Sequence, residues 1–317
     1  MILSIIIPHY HTINTLERLL HSIPKNDNVE IIIVDDNSEI SHTDLHQFLS
    51  KFPHRTIRLL FNHKTVRGAG VCRNIGLSAA QGKWVLFADA DDFFVEGFFE
   101  KISVFLQSNE DVVFFPPTSV VGETSQTSNR HVDYLRLVKE YRESRNKTTE
   151  LMLKYKFKIP VSKLISLDFI KRNKINFDEV IASNDVMFST KVGYHMEKFI
   201  VSDQTIYCIV EGYGSLTKNT SAKVYDARLD VFIDYHNFLK EHLDVKEFKL
   251  LNIHGRYHLA NAFFYKLGIK KGLMAYRKLR KNKVKLFDLW LLNPYKLLKR
   301  MIQKFRAFAK NKKFLVK

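Results

Sequence analysis

Residues Leu3 to Ile7 (LSIII) and Val29 to Val34 (VEIIIV) are almost unbroken runs of β-branched and aliphatic side chains. Runs of this kind suit strands buried on both faces of a parallel sheet, whereas a half-wet strand would alternate. Each run ends in a polar turn, Pro8-His9-Tyr10 and Asp35-Asp36-Asn37-Ser38. Between them Leu16, Leu19, Leu20 and Ile23 recur at helical spacing behind Asn14, a candidate N-cap, and Pro24 closes the segment. The order continues with a helix near 41–52, a strand at 56–61, a helix near 69–80, a strand at 84–88, a helix at 96–107 and a strand from Val112 to Phe115. Alternating strand and helix predicts right-handed βαβ units, an α/β architecture whose mainly parallel sheet carries helices on both faces. Pro116-Pro117 and the polar loop 118–130 break the pattern, and beyond them strand signals thin and helices dominate. No internal repeat is visible.

A chain of 317 residues with 45% hydrophobic side chains has ample material for a core, and 26% charged residues with 12 Gly and 7 Pro argue against disorder and low complexity. Two cysteines, Cys72 and Cys208, exclude a disulfide framework and a four-cysteine metal site, and suit a reducing, intracellular compartment. The opening MILSIIIPHYHT lacks a basic n-region and its apolar run is short, so neither a signal peptide nor a spanning helix is expected there. No later stretch reaches the roughly 18 apolar residues a span needs.

In open α/β sheets ligands bind beyond the carboxyl ends of the strands. Here those ends carry Pro8-His9-Tyr10, Asp35-Asp36 and Asp89-Ala90-Asp91-Asp92. Tyr10 offers a ring on which a base can stack, and Asp36 a carboxylate that can accept from a nucleobase N–H. Three carboxylates within four residues repel one another unless a cation or protons neutralise them, and an all-oxygen cluster favours Mg²⁺ or Mn²⁺ shared with a phosphorylated substrate. The alternative is that Asp91 and Asp92 cap a helix near Glu96. His9 and His11 flank Tyr10 without an assigned role. His254 and His258 stand four apart on a probable helix, but with no Glu after the first and no third ligand they read as a helix face rather than a zinc site.

The ordered motifs SIIIPHY (4–10), VDDNS (34–38), RGAGVCRNIG (67–76) and GKWVLFADADD (82–92) resemble the inverting family 2 glycosyltransferases of the GT-A fold, over about the first 115 residues. Beyond 220 the residue pattern reads as a helical extension over 221–285 and a basic amphipathic tail over 286–317; the resemblance implies a Rossmann-like GT-A domain over 1–220. It implies that Pro8, Tyr10, Asp36, Gly68, Arg73, Asn74 and Asp89 face the nucleotide-sugar, that Asp91 is the metal ligand for Mn²⁺ or Mg²⁺, and that Gly70 belongs to the glycine-rich loop. A loop of that kind opening a helix can also turn its N–H groups to a phosphate, or simply make a turn. The family's base sits in a Glu-Asp pair before a helix; Ala182-Ser183-Asn184-Asp185 is similar, with Asn184 in place of Glu, so Asp185 is matched to the base. The alternative is that Ser183, Asn184 or Asp185 caps that helix, but a direct displacement needs one carboxylate near the acceptor hydroxyl, which favours the base. YGSLTK (213–218) resembles the segment that closes over the diphosphate in many relatives, where Lys218 would offset charge on the leaving diphosphate; the alternative is a solvated lysine after a turn.

The charge is unevenly placed: from Lys270 to Lys317 there are 17 Lys and Arg against one acid, Asp288, which is nearly all of the net +17. Leu297, Leu298, Met301, Ile302, Phe305 and Phe308 recur at helical spacing among Lys and Arg, behind an apolar stretch with Trp290. That pattern reads as a helix lying on an anionic membrane, or as a terminal helix packed on the body; nucleic acid is disfavoured by so many apolar residues on one face. Together with the resemblance this gives a glycosyltransferase peripheral on the cytoplasmic face of a membrane, moving a sugar from a nucleotide-sugar, UDP-linked by family habit, to a lipid-linked saccharide. A nucleotidyltransferase would want a basic loop where PHYHTINT (8–15) has no Lys or Arg, and an inactive scaffold would not need Asp36, Asp89, Asp91 and Asp185 together.

Overall fold

A computed structural model of the chain describes residues 1–122, 126–212 and 219–287. The chain divides into two compact units, Met1–Asn219 and Thr220–Lys317. The first begins with β1 (Leu3–His9), α1 (Ile13–Ser22), β2 (Val29–Asp35), α2 (His42–Leu49), β3 (Thr56–Phe61), α3 (Ala69–Ala79) and β4 (Trp84–Phe87). All four strands are parallel, in the order β3-β2-β1-β4. The apolar runs do what their lack of alternation implies. Leu3, Ile5 and Ile7 of β1 enter the core with Leu16, Leu19 and Trp84, while Ile6 enters a second core with Val34, Val85 and Phe87. Each fully buried aliphatic side chain contributes on the order of 1.5–3 kcal/mol.

Asn14 does not cap α1. The N-cap is Thr12, whose carbonyl accepts from Leu16 N–H at 2.8 Å, so Asn14 lies inside the first turn. The helix expected at 96–107 is shorter, α4 (Phe98–Ser103), and is preceded by a short strand, β5 (Phe93–Phe94). Gly97 is the N-cap of α4, and no described helix is capped by Asp91 or Asp92.

After β6 (Val112–Phe114) the loop expected at 118–130 contains β7 (Thr118–Val121), and strands remain frequent: β8 (Lys163–Ser166), β9 (Phe199–Val201) and β10 (Tyr207–Glu211), among α5 (Val132–Glu143), α6 (Lys147–Lys156), α7 (Leu167–Arg172) and α8 (Asn184–His195). They escape pattern reading because they are three to five residues long. Strand β8 inserts antiparallel between β4 and β6, which completes a seven-stranded sheet β3-β2-β1-β4-β8-β6-β9, and β5-β10-β7 forms a separate small sheet.

The described part of the second unit is helical: α9 (Ala222–His242), α10 (Val245–Leu250), α11 (Arg256–Phe264) and α12 (Ile269–Lys281), around Tyr225, Leu229, Ile233, Ala262, Ala275 and Leu279. His254 precedes α11, so His254 and His258 do not share a helix face; His254 Nε2 bonds Asn252 Oδ1 at 2.8 Å. No described helix is long and apolar enough to cross a membrane. Lys218 and the amphipathic segment from Asp288 onward lie outside the described residues.

Candidate active site

The strand order reverses direction between β1 and β4, and the crevice opens where their carboxyl ends part. The sheet ladder runs on past the strand ends: Asp36 N–H donates to His9 O and Asn62 N–H to Asp35 O, both at 2.8 Å. The residues after each strand are therefore held in register.

His9 turns inward. It is buried, its Nδ1 bonds Asp35 Oδ1 at 2.7 Å, and Thr12 N–H donates to its Nε2 at 3.3 Å, so the ring proton sits on Nδ1. Burial works to raise the Asp35 carboxyl, but the bonds from His9 and Ser38 outweigh it and hold Asp35 below the usual range. Asp36 is buried too, accepting from Asn62 Nδ2 on Oδ1 and from Gly68 N–H on Oδ2, each at 2.7 Å. It thereby ties the end of β2 to the glycine-rich loop, where Gly68 at φ +130 adopts a backbone that side chains rarely allow. Tyr10 stands 51% exposed, its ring edge-on to His11.

The four residues after β4 separate into distinct roles. Asp89 accepts from Arg73 at 2.5 Å, and its N–H donates to the Tyr207 hydroxyl at 2.8 Å. Asp92 is buried, accepts from Val210 N–H at 2.7 Å and lies near the same Tyr207 hydroxyl; loss of water and then the charges of Asp89 and Asp91 push its carboxyl well up. Asp92 is thus an anchor of this loop to β10, not a helix cap. Asp91 is open to solvent and its carboxylate takes no hydrogen bond from another described residue, while Arg18 on α1 donates to its carbonyl at 2.5 Å. The crowded crevice wall and then Asp89 raise Asp91.

No group of three or more His, Cys, Asp or Glu able to hold a metal ion exists among the described residues. One open carboxylate beside a paired one fits a hard cation that arrives with phosphate oxygens and keeps water in its shell, as Mg²⁺ commonly does; it does not fit a resident ion caged by protein alone.

Residues 177–188 complete the crevice from far along the sequence. Phe188 of α8 stacks on Phe177 at 3.8 Å, and Phe87 of β4 meets both edge-on. Asn74 of α3 holds this segment by two bonds to the Phe177 backbone, at 2.9 and 2.8 Å, so its side chain serves the seam between the segments. A Cβ on Gly70 would lie 2.4 Å from Asp178 O and 2.9 Å from Asn184 Cβ. Arg73 spans the seam: Nη1 donates to Asn184 Oδ1 at 2.8 Å, Nη2 to Asp89, and the guanidinium lies 5.2 Å from the Phe177 ring centroid. Asn184 thus accepts from Arg73 without adding a charge beside Asp185. Ser183 is the N-cap of α8, in left-handed conformation and without a side-chain cap bond.

Asp185 opens α8. Burial raises its carboxyl, against the pull of the Arg73 charge and of Lys163. Lys163 was not singled out by sequence; a lysine opening the apolar strand KLIS gives no signal. It is fully buried, donates to Phe157 O at 2.7 Å and Ser189 Oγ at 3.1 Å, and lies near the rings of Phe114 and Phe157. Ser189 is one turn beyond Asp185 on the same face of α8. Burial lowers Lys163 to about 7, Lys158 to about 7 and Lys156 to about 8. The structure thus brings Tyr10, Asp36, Gly68, Arg73, Asp89, Asp91 and Asp185 to one crevice, with Pro8 inside β1.

A doubly wound sheet with an acidic crevice at the β1/β4 switch and an antiparallel strand inserted beside it is the GT-A arrangement. The Glycosyl transferase family 2 model matches residues 4–172, more than half of the chain, and the chain belongs to that family. An uncharacterized glycosyltransferase of Haemophilus influenzae is 36% identical over 114 residues, 35% of this chain and 37% of that protein. A poly(ribitol-phosphate) beta-glucosyltransferase of Bacillus spizizenii is 28% identical over 224 residues, 68% of this chain and 33% of that protein. The matches span only about a third of these relatives' lengths. Among solved structures, Staphylococcus aureus TarS 1-349 in complex with UDP-GlcNAc superposes with a TM-score of 0.64 at 21% identity, covering 87% of this chain and 79% of that one. The mannosyltransferase PcManGT of Pyrobaculum calidifontis, in complex with GDP-Man and Mn2+, gives 0.54 at 14% identity, covering 99% and 84%. These two share the fold.

Proposed function

We propose that the chain transfers a sugar from a UDP-sugar to a saccharide acceptor of a cell-surface polymer, lipid-linked, with inversion at the anomeric carbon. The observation that carries this reading is the Arg73 bridge, which sets the candidate base Asp185 beside the Asp89–Asp92 loop through Asn184 and Asp89. Asp185 takes the proton of the acceptor hydroxyl. The hydroxyl oxygen forms its bond to the anomeric carbon as the bond from that carbon to the diphosphate breaks, and UDP leaves. Because burial raises Asp185, it holds the transferred proton better than an exposed carboxylate would. Tyr10 stacks on the base, Asp36 holds the glycine-rich loop against it, and Arg73 keeps Asp89 in place. A divalent cation, Mn²⁺ or Mg²⁺, held by Asp91 and carried in with the donor, would neutralise charge on the leaving diphosphate. The UDP-GlcNAc complex of the TarS neighbour and the ribitol-phosphate relatives support a UDP donor and a polymer acceptor. The segment 286–317 would tether the enzyme to the inner face of the cell membrane, and Lys218 would close over the diphosphate.

A panel of UDP-sugars assayed for UDP release, with and without divalent cation and acceptor, tests the reading. Release that needs one UDP-sugar and a cation is expected. Equal inertness toward UDP-, GDP- and dTDP-sugars would overturn it.

A further inference from the structure

The second unit carries charge that the catalytic reading does not use. Between Arg256 and Lys285 the sequence has ten Lys and Arg and no Asp or Glu. Helix α12 lies in the middle of this stretch, and its sides are put to different uses. Gly272, Ala275 and Leu279 face the core of the unit. Lys271 pairs with Asp226 of α9 at 2.8 Å, and Lys278 pairs with Asp230. A third side carries Ile269, Leu273 and Tyr276, at i, i+4 and i+7 and therefore on one face, exposed by 72%, 50% and 43%.

That face continues onto α11. A Cβ on Gly272 would come within 3.2 Å of the Phe263 ring, so Phe263, 60% exposed, lies against α12 beside the stripe. Arg277 follows Leu273 by four residues and Arg280 follows Tyr276 by four, which extends the stripe into cations; Lys270 flanks Ile269. All three are exposed. An apolar stripe edged by cations with no acid in thirty residues is complementary to a surface that is apolar within and anionic at its rim. A second copy of the chain would set these cations against their like, and so would the Lys-rich segment after Asp288. A polyanion without an apolar phase would leave Phe263, Ile269 and Leu273 in water.

We propose that the exposed α11–α12 face docks on an anionic bilayer, with Phe263, Ile269 and Leu273 entering the headgroup–acyl boundary and Lys270, Arg277 and Arg280 meeting the headgroups. This surface is separate from the segment after Asp288 and does not depend on the catalytic reading.

The full-length chain is tested for cosedimentation with vesicles containing phosphatidylglycerol and with phosphatidylcholine alone. Three variants accompany it: Lys270→Glu/Arg277→Glu/Arg280→Glu and Phe263→Ser/Ile269→Ser/Leu273→Ser in the face, and Leu297→Ser/Met301→Ser/Phe305→Ser in the C-terminal segment. Each basic group near an anionic surface is worth about 1 kcal/mol, so the charge-reversed face should lose roughly a hundredfold or more in affinity for the anionic vesicles. The serine face should bind weakly and lose the part of binding that survives high salt, with melting curves of both face variants unchanged. Wild-type vesicle affinity in both face variants, with loss only in the C-terminal variant, would overturn the proposal. So would a dimer in solution that either face variant dissolves, or tighter binding to a polyuridylate probe than to vesicles. UDP release is not needed for any of these readings, so failure of the transferase reading leaves them intact.

Discussion

Residues 1–115 and residues 116–219 build one sheet by opposite routes. In the first region β1, β2, β3 and β4 pair parallel with one another through helical crossovers, and the candidate acidic and aromatic site residues follow strands: Tyr10 after β1, Asp36 after β2, Asp89 and Asp91 after β4. In the second, β8 pairs antiparallel with β4 and β6, strands that precede it by many residues, and the candidate base opens helix α8 rather than following a strand. The first region presents carboxylates by local geometry. The second delivers one carboxylate by docking a helix against α3, through Arg73, Asn74 and Gly70. A site of this design should fail differently depending on which region is damaged.

The largest effect is expected in the first region. Asp91→Asn keeps the size of the side chain and removes the charge that would offset a cation. Since Asp91 is exposed and takes no hydrogen bond from another described residue, the variant should lose cation-dependent UDP release while its melting temperature stays within about 1 °C of wild type, as a surface change with little stability effect implies. Undiminished release by the variant in EDTA would remove the metal from the scheme. The second region is probed by Asp185→Asn, which should lower turnover by at least about 10²-fold, the low end for loss of a general base, with UDP affinity nearly unchanged. If UDP affinity falls with turnover, measured by isothermal titration, the two regions are not separable and Asp185 is structural.

The same contrast explains what could be read from the sequence alone. The strand-end clusters were legible because unbroken aliphatic runs locate the ends of β1, β2 and β4 to within two residues, Pro8, His9 and Asp35 proving to belong to the strands rather than to the turns after them. Even there, side-chain direction was hidden: His9 and Asp92 stand beside exposed Tyr10 and Asp91 yet point inward, one to Asp35 and the other to Val210 and Tyr207. Strands of three to five residues such as β7 and β8 leave no periodicity to detect, so the insertion of β8, and with it Lys163, was invisible. The reason for Asn184 was equally hidden, because its partner Arg73 is 111 residues away.

The seam itself is tested at Gly70. With Asp178 O only 2.4 Å from a new Cβ, the backbone of one region must give, and overpacking of this kind costs about 1–3 kcal/mol. For Gly70→Ala we expect a melting temperature lower by roughly 2–12 °C, on the scale for domains of this size, with turnover reduced more than UDP affinity because the candidate base Asp185 moves and Tyr10 does not. An unchanged melting temperature would mean that the two regions are not wedged together here.

The smallest effect, and the one most specific to the second region, concerns Lys163. The charged and titratable groups facing Asp185 come from several elements: Arg73 on α3, Asp89 after β4, Lys163 on β8, Lys158 after α6 and Tyr134 on α5. As the proposed base Asp185 would act only when ionised, so turnover should rise with pH through its pKa, which burial raises and the charges of Arg73 and Lys163 partly restore. Lys163→Met removes that charge and should move the acid limb of the turnover profile to higher pH, by roughly a few tenths to one unit, the scale of one nearby charge at a high effective dielectric. Lys163 is itself lowered to about 7, so wild type and variant should differ most below pH 7, where the lysine is protonated, and converge above it. A purely structural role would lower turnover evenly across the profile and leave the limb in place, and Lys163→Arg, which restores a charge, should return the limb toward its wild-type position.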